Sequence, residues 1–276
     1  MPKVRCRSRT PSASRLNREK CMRILLTNDD GVYAPGLRAM RKELQKLGDV
    51  TVVAPVGEQS AVGHSITLLT PLITQEVLDE NQAPMGWAVE GRPADCVKLA
   101  LLELLAEPPD LIVSGLNAGS NAGINVLYSG TVAAAIEGSF FQCTSIAVSL
   151  QYTKPKPLDF PRAAELARSV ITQIVRHPHS RGNLFNVNIP SLDKGPILGI
   201  RVVRQNVAPY QEKFDRRVDP RGRVYFWSGP DFGCPDPHPD TDETALREGY
   251  ITVTPLHFNL THAVLLEKMK EWEWKL

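Results

Sequence analysis

Long apolar runs are missing from this 276-residue chain. The most apolar stretch, Val97 to Ala106, is broken by Lys98 and Glu103 and stays well short of the ~20 residues that cross a bilayer. This argues against a helical membrane protein, and no secretory signal with an apolar middle is present, so a cytoplasmic location is expected. Cysteine is scarce: five residues at 6, 21, 96, 143 and 234, an odd number without a CxxC pair. That spacing excludes a zinc site and a disulfide framework and leaves ordinary reduced thiols. Several chemical signatures are absent as well. There is no GxxxxGK[ST] phosphate loop, no GxGxxG after the first strand, no GxSxG elbow and no HExxH pair. Walker-type nucleotide binding, a dinucleotide site, a serine-hydrolase elbow and a zincin are thereby disfavoured.

Excess charge is lacking too, but the balance of 32 basic and 30 acidic residues hides an asymmetry. The first 21 residues hold seven basic residues and only Glu19 as an acid, so 25 basic and 29 acidic residues remain from Met22 onward. A mildly acidic body speaks against a nucleic-acid polymer as partner. The basic start matches an organelle-targeting peptide, a disordered arm, or an extension upstream of a start at Met22. Because Met22 stands directly before the first strand, the last is the expected reading, and residues 1–21 are left out of the fold.

With 42% apolar and 22% charged residues a packed core is available. Met22 to Thr27, Asp49 to Ala54, Asp110 to Val113, Ser145 to Leu150 and Asn183 to Ile189 read as strands. Gly36 to Leu47, Ala94 to Leu105, Thr131 to Phe141 and Arg162 to Val175 read as helices, with Gly48 stopping the first. Strands alternating with helices predict an α/β fold: a mostly parallel sheet with right-handed crossovers and helices on both faces. Residues 22–190 form that core. Beyond Pro190 the texture changes to Arg/Asp pairs, a Pro/Gly/Asp-rich stretch from Gly229 to Asp242, strand-like Val224 to Trp227 and Tyr250 to Thr254, and a final helix over Thr261 to Trp274. Residues 191–276 are expected to form a smaller β-rich lobe with a terminal helix, in which Ala208 to Val218 pairs with another subunit.

Open parallel sheets bind ligands at the carboxyl ends of their strands, and the polar motifs lie there. Thr27-Asn-Asp-Asp-Gly31 places Asp29 and Asp30 just past the first strand, where a glycine turn can converge both on one cation. Like charges so close repel unless a metal neutralises them, and hard oxygen donors favour Mg²⁺, Mn²⁺ or Ca²⁺ over zinc. A solvated turn is the plain alternative. The loop Gly57 to Ser65 follows the second strand at the same sheet edge, where Ser60 is a candidate neutral ligand and His64 is the histidine to watch. The segment Ser114 to Asn125 interleaves glycine with Asn117, Asn121 and Asn125, and Asn117 just beyond its strand offers an amide oxygen. Ser129-Gly130-Thr131 then opens an Ala-rich helix: an ordinary cap or, beside a cation, an anion site.

Together MRILLTNDDG, GEQSAVGHSIT, SGLNAGSNAGINVLYSGTVAAAIEG and TDETALREGYITVTPL resemble the SurE family of metal-dependent 5′-nucleotidases, from Met22 to about Leu260. The resemblance implies a Rossmann-like core, one divalent cation per subunit (Mg²⁺ or Mn²⁺) and hydrolysis of nucleoside monophosphates. It implies metal ligation by Asp29, Asp30, Ser60 and Asn117, and phosphate contacts from Asn121, Ser129, Gly130 and Thr131. It also implies homodimers or homotetramers that exchange C-terminal elements. Asp29 and Asp30 are the catalytic candidates, with Asp29 the expected acceptor of a water proton. 3′-Nucleotides and short polyphosphate extend the expected substrate range. The competing function is a nucleotide- or polyphosphate-binding stress sensor without turnover.

Overall fold

The computed structural model describes residues 21–152, 157–177, 181–208, 213–228 and 237–276. The basic start up to residue 20 and parts of the stretches from Ala208 and from Gly229 lie outside the described residues. The Ile/Leu run Met22–Thr27 forms β1, buried on both faces towards its end. It pairs in parallel with β2 (Gly48–Pro55) on one side and β5 (Leu111–Ala118) on the other. β4 (Pro84–Val89) joins β2, β6 (Ser145–Leu150) joins β5 and β7 (Leu184–Ile189) joins β6, all parallel. The antiparallel β3 (Thr74–Leu78) closes one edge. At the other, β11 (Ile251–Leu256) runs antiparallel to β7 and carries the short parallel β8 (Ile200–Val202). The nine strands lie in the order β3-β4-β2-β1-β5-β6-β7-β11-β8.

Helices cover both faces, as a parallel sheet requires. On one, α1 (Pro35–Leu44) packs on α4 (Phe160–Arg176), and Leu37, Met40, Leu44, Ala167, Val170 and Ile171 bury against Ile24 and Leu26 of β1. On the other, α2 (Pro93–Leu99) packs on α3 (Gly130–Phe140), with Cys96, Val97 and Ala134 against Leu25, Val53 and Ile112. Each large aliphatic side chain so buried contributes about 1.5–3 kcal/mol. Among the described cysteines, Cys21, Cys96 and Cys143 are free. No helix of the described residues is long and apolar enough to cross a membrane.

Several expected boundaries move, each for a local reason. α1 ends at Leu44 rather than Leu47: the chain closes in a turn with Leu47 N–H donating to Leu44 O at 2.8 Å, and Gly48 opens β2 instead of capping the helix. The second helix ends at Leu99 and widens into a π-type turn over Ala100–Leu104. β5 overruns Val113 to reach Ala118, with its pairing to β6 shifting between Ser114 and Asn117, so Asn117 stands within the strand end and not beyond it. Nor does Pro190 part the sheet. β8 and β11 join it because β11 finds its hydrogen-bond partners on β7, whose far edge is otherwise open. What stands apart is the antiparallel pair β9 (Phe214–Val218) and β10 (Val224–Ser228), exposed along its whole length. A short helix α5 (Asp242–Arg247) precedes β11, and α6 (Ala263–Lys270) follows it without a buried residue.

Candidate active site

From β1 the chain goes first to β2 and β4 on one side and then returns to β5 on the other. The carboxyl ends of β1 and β5 therefore flank the crevice where the winding direction reverses, the usual ligand position of such sheets. Asn28 shapes the turn there, its Nδ2 donating to Gly31 O at 2.9 Å. Gly31 adopts φ +102°, and a Cβ at that position would sit 3.2 Å from the Gly57 backbone. The turn leaves Asp29 buried and Asp30 half-buried.

The two carboxylates are held by different elements, Asp29 by the start of α3 and Asp30 by the end of β5. Asp29 Oδ1 accepts the Thr131 hydroxyl, and the Thr131 backbone N–H also bonds to its carboxylate. Gly130 makes this approach possible, since a Cβ there would lie 2.8 Å from Asp29 Cβ and 3.0 Å from its Oδ2. Asp30 Oδ2 instead faces the Ala118 N–H at 3.4 Å, beside Asn117. Burial raises the Asp29 carboxyl despite the Thr131 hydrogen bonds. Burial first, and then the Asp29 charge, push Asp30 up to about 6, with Glu58 adding to both. Two withdrawn, mutually repelling carboxylates are favoured as ions by a positive charge beside them.

Neutral oxygens are close by along the chain. Gln59 N–H donates to Asp29 O at 2.7 Å, which pins the loop containing Ser60 to the acidic turn. The same loop is tied by Gly63 N–H to Tyr128 O at 2.9 Å, and the exposed Ser60 hydroxyl donates to Glu58. Asn117 Nδ2 donates to Gly119 O at 2.8 Å, a hydrogen bond that commits the nitrogen and leaves Oδ1 as the donor atom for a cation. Among the described residues no three His, Cys, Asp or Glu side chains gather as metal ligands. The donors expected here, two acids with a serine and an asparagine, offer oxygen only, the chemistry that suits a hard divalent cation.

The expected phosphate residues divide. Ser129 caps α3, its Oγ accepting from Val132 N–H at 3.1 Å, and Gly130 and Thr131 lie directly against Asp29. The first turn of α3 thus serves a carboxylate through Thr131, a link between positions 102 residues apart. Asn121 is turned elsewhere. Its Nδ2 donates to Ser149 Oγ at 2.8 Å, its N–H to Asn188 Oδ1 at 2.8 Å, and its carbonyl accepts from Asn186 Nδ2 at 2.7 Å. It anchors the Gly/Asn loop onto β6 and β7. Asp242, unnoticed in the sequence except within TDETALREG, ties the same loop from the far edge: buried, it accepts N–H groups of Gly123 and Asn206 at 2.9 Å each. His64 is engaged by α3. Its Nε2 meets Glu137 Oε2 at 2.8 Å and its ring stacks on Phe140, so it fastens the Ser60 loop to α3.

A family model described as "Survival protein SurE" matches residues 24–212. The chain belongs to the SurE family. It is 56% identical over 254 residues to a protein named 5′-nucleotidase SurE from Rhodopirellula baltica, covering 91% of this chain and 98% of that one. A protein of the same name from Heliobacterium modesticaldum is 45% identical over 251 residues, with 91% and 92% covered. The crystal structure of the SurE protein from Aquifex aeolicus superposes with a TM-score of 0.78 at 36% identity, covering 90% of this chain and 98% of that one. The α/β architecture read from strand and helix alternation is that of the SurE fold.

Proposed function

We propose that this chain is a divalent-cation-dependent phosphomonoesterase that hydrolyses nucleoside 5′-monophosphates to nucleoside and phosphate. The observation that carries the reading is the buried carboxylate pair at the β1–β5 crevice, beside the first turn of α3. The SurE relatives named as 5′-nucleotidases support it. Asp29, Asp30, Ser60 and Asn117 hold the cation, Mg²⁺ or Mn²⁺. Once bound, such an ion offsets charge on phosphoryl oxygens and acidifies water. The chain does the positioning. Thr131 fixes Asp29 through two donors, Gly130 leaves space at its carboxylate, and Ser129 aligns the start of α3 so that its dipole meets negative charge. Because Asp29 is engaged by Thr131, the half-exposed Asp30 is the acid of the pair that a water can reach. Phosphoryl transfer of this kind rests on such placement and charge compensation.

The exposed C-terminal elements form the contact between copies of the chain, giving a homodimer or homotetramer. Phe226 and Trp227 on β10 are 59% and 61% exposed, and Leu265, Leu266, Trp272 and Trp274 lie open on and after α6. Large apolar side chains left exposed in this number suit an interface.

The experiment is release of inorganic phosphate from a panel of nucleoside monophosphates, with EDTA and with Mg²⁺ or Mn²⁺ restored. Turnover that EDTA abolishes and the metal restores is expected. Binding of nucleotides without release of phosphate supports a non-catalytic sensor and defeats the proposal.

A further inference from the structure

A cleft of about 450 Å³ opens at the carboxyl ends of β2 and β4, walled by Gly57, Gln59, Thr67, Thr70, Glu90 and Arg92 among others. Its rims are pinned by hydrogen bonds. Val56 N–H donates to Val89 O at 3.0 Å, Glu90 N–H to Ile73 O at 2.9 Å, and Thr67 N–H to both Asp95 oxygens at 3.0 and 3.1 Å. Asp95 also accepts the Arg92 N–H at 2.9 Å, and the Arg92 guanidinium donates to the Gln59 side chain across the floor. The cleft is therefore formed before any ligand arrives.

It adjoins the active site at two points. Gln59 donates to the Asp29 carbonyl. Pro93, next to Arg92, has its Cγ 3.2 Å from where a Cβ of Gly130 would stand. From Glu90 to Pro93 is three residues, at most about 10 Å of chain, comparable to the reach of a nucleotide from its phosphate across the sugar. No aromatic side chain lines the cleft, so a base finds no stacking surface there. Glu90 is exposed, and among the described residues its carboxylate has no hydrogen bond or ion pair. An ionised carboxylate accepts and never donates, with two oxygens side by side. A vicinal diol is one neutral partner that offers two adjacent donors.

We propose that Glu90 recognises the ribose of the substrate, accepting hydrogen bonds from the 2′- and 3′-hydroxyls, and so selects ribonucleotides over 2′-deoxyribonucleotides. This rests on the phosphomonoesterase reading above. Arg92 is a positioning residue that holds Gln59 and the cleft floor, and the absence of stacking makes the choice of base secondary to the choice of sugar.

The test compares AMP, 2′-dAMP and the sugar-free ester p-nitrophenyl phosphate with the wild type, Glu90→Ala and Glu90→Gln. The wild type should favour AMP over 2′-dAMP by about tenfold in kcat/KM, the size of hydrogen bonds to a charged acceptor. Glu90→Ala should lower AMP more than 2′-dAMP, both through KM, until the two are turned over alike, with p-nitrophenyl phosphate unchanged, and Glu90→Gln should fall between. An AMP to 2′-dAMP ratio that is one in the wild type, or identical in all three proteins, overturns the assignment. So does a loss in either variant that includes p-nitrophenyl phosphate. If the wild type turns over none of the three, the phosphomonoesterase reading fails instead. Calorimetric binding of adenosine against 2′-deoxyadenosine then decides the ribose claim without turnover, equal affinity overturning it.

Discussion

The parallel half of the sheet and the C-terminal hairpin use apolar side chains in opposite ways. Leu25 and Leu26 of β1 are wholly buried between two helical layers. Phe214, Tyr225, Phe226 and Trp227 of β9 and β10 are exposed among the described residues. The first region is complete by itself, and its polar residues are free to be spent on a site at the strand ends. The second carries core-like residues without a core. The hairpin is a two-stranded sheet of its own, separate from the nine-stranded sheet that β8 and β11 complete.

The sharpest way to break this comparison is at the carboxylates. Asp29→Asn or Asp30→Asn should lower phosphate release by roughly 10²–10³-fold, with circular dichroism and the melting temperature showing an intact fold. Undiminished hydrolysis in either variant would remove the pair from the reaction.

Next in size is the contrast of the two apolar sets. Leu25→Ala should cost about 2–5 kcal/mol in urea unfolding, because the buried side chain leaves a cavity. Phe226→Ser should scarcely alter the unfolding of the isolated chain yet lower the molar mass seen by light scattering. If Phe226→Ser left the mass unchanged and unfolded the chain, the hairpin would be part of the core.

Acidity sharpens the link between the site and stability. Asp30 keeps its proton to about pH 6 when folded, whereas an unfolded aspartate releases it near 4. Between those values the folded chain binds more protons than the unfolded one, so stability falls as pH rises. In EDTA the melting temperature should drop from about pH 4 to about pH 6. Mn²⁺ should raise it more at pH 7 than at pH 4.5, and a metal effect equal at both would contradict the paired-carboxylate picture. The smallest effect is expected from deleting residues 1–21, which should leave kcat/KM within about twofold and would be refuted by a large loss of turnover.

Much of this was legible because the parallel strands are short apolar runs with turn residues at their ends. Ser145 to Leu150 and Met22 to Thr27 keep in the structure the bounds their sequences suggest, since most residues of each run are apolar and most are buried. The β3–β4 hairpin was not legible: Thr74-Gln-Glu-Val-Leu78 buries only Val77, so a solvated edge strand has no pattern to distinguish it from a loop. Nor was the entry of β11 into the main sheet, because strand neighbours are chosen by tertiary pairing and β7 ends 62 residues before β11 begins. At the site, donor types and strand-end position singled out Asp29, Asp30, Ser60 and Asn117. The bond between Thr131 and Asp29 joins distant segments and has no local signal. The burial of Asn121 among Ser149, Asn186 and Asn188 is of the same kind, since the strand order that assembles those polar side chains is not written in any one motif.

The central claim is that Asp29 and Asp30 share one divalent ion, and the most direct measurement is a Mn²⁺ titration followed by electron paramagnetic resonance on the full-length chain. The account predicts one bound Mn²⁺ per subunit in the wild type and none in Asp29→Asn or Asp30→Asn at the same concentration, with both variants folded. Undiminished, stoichiometric binding in both variants would contradict it.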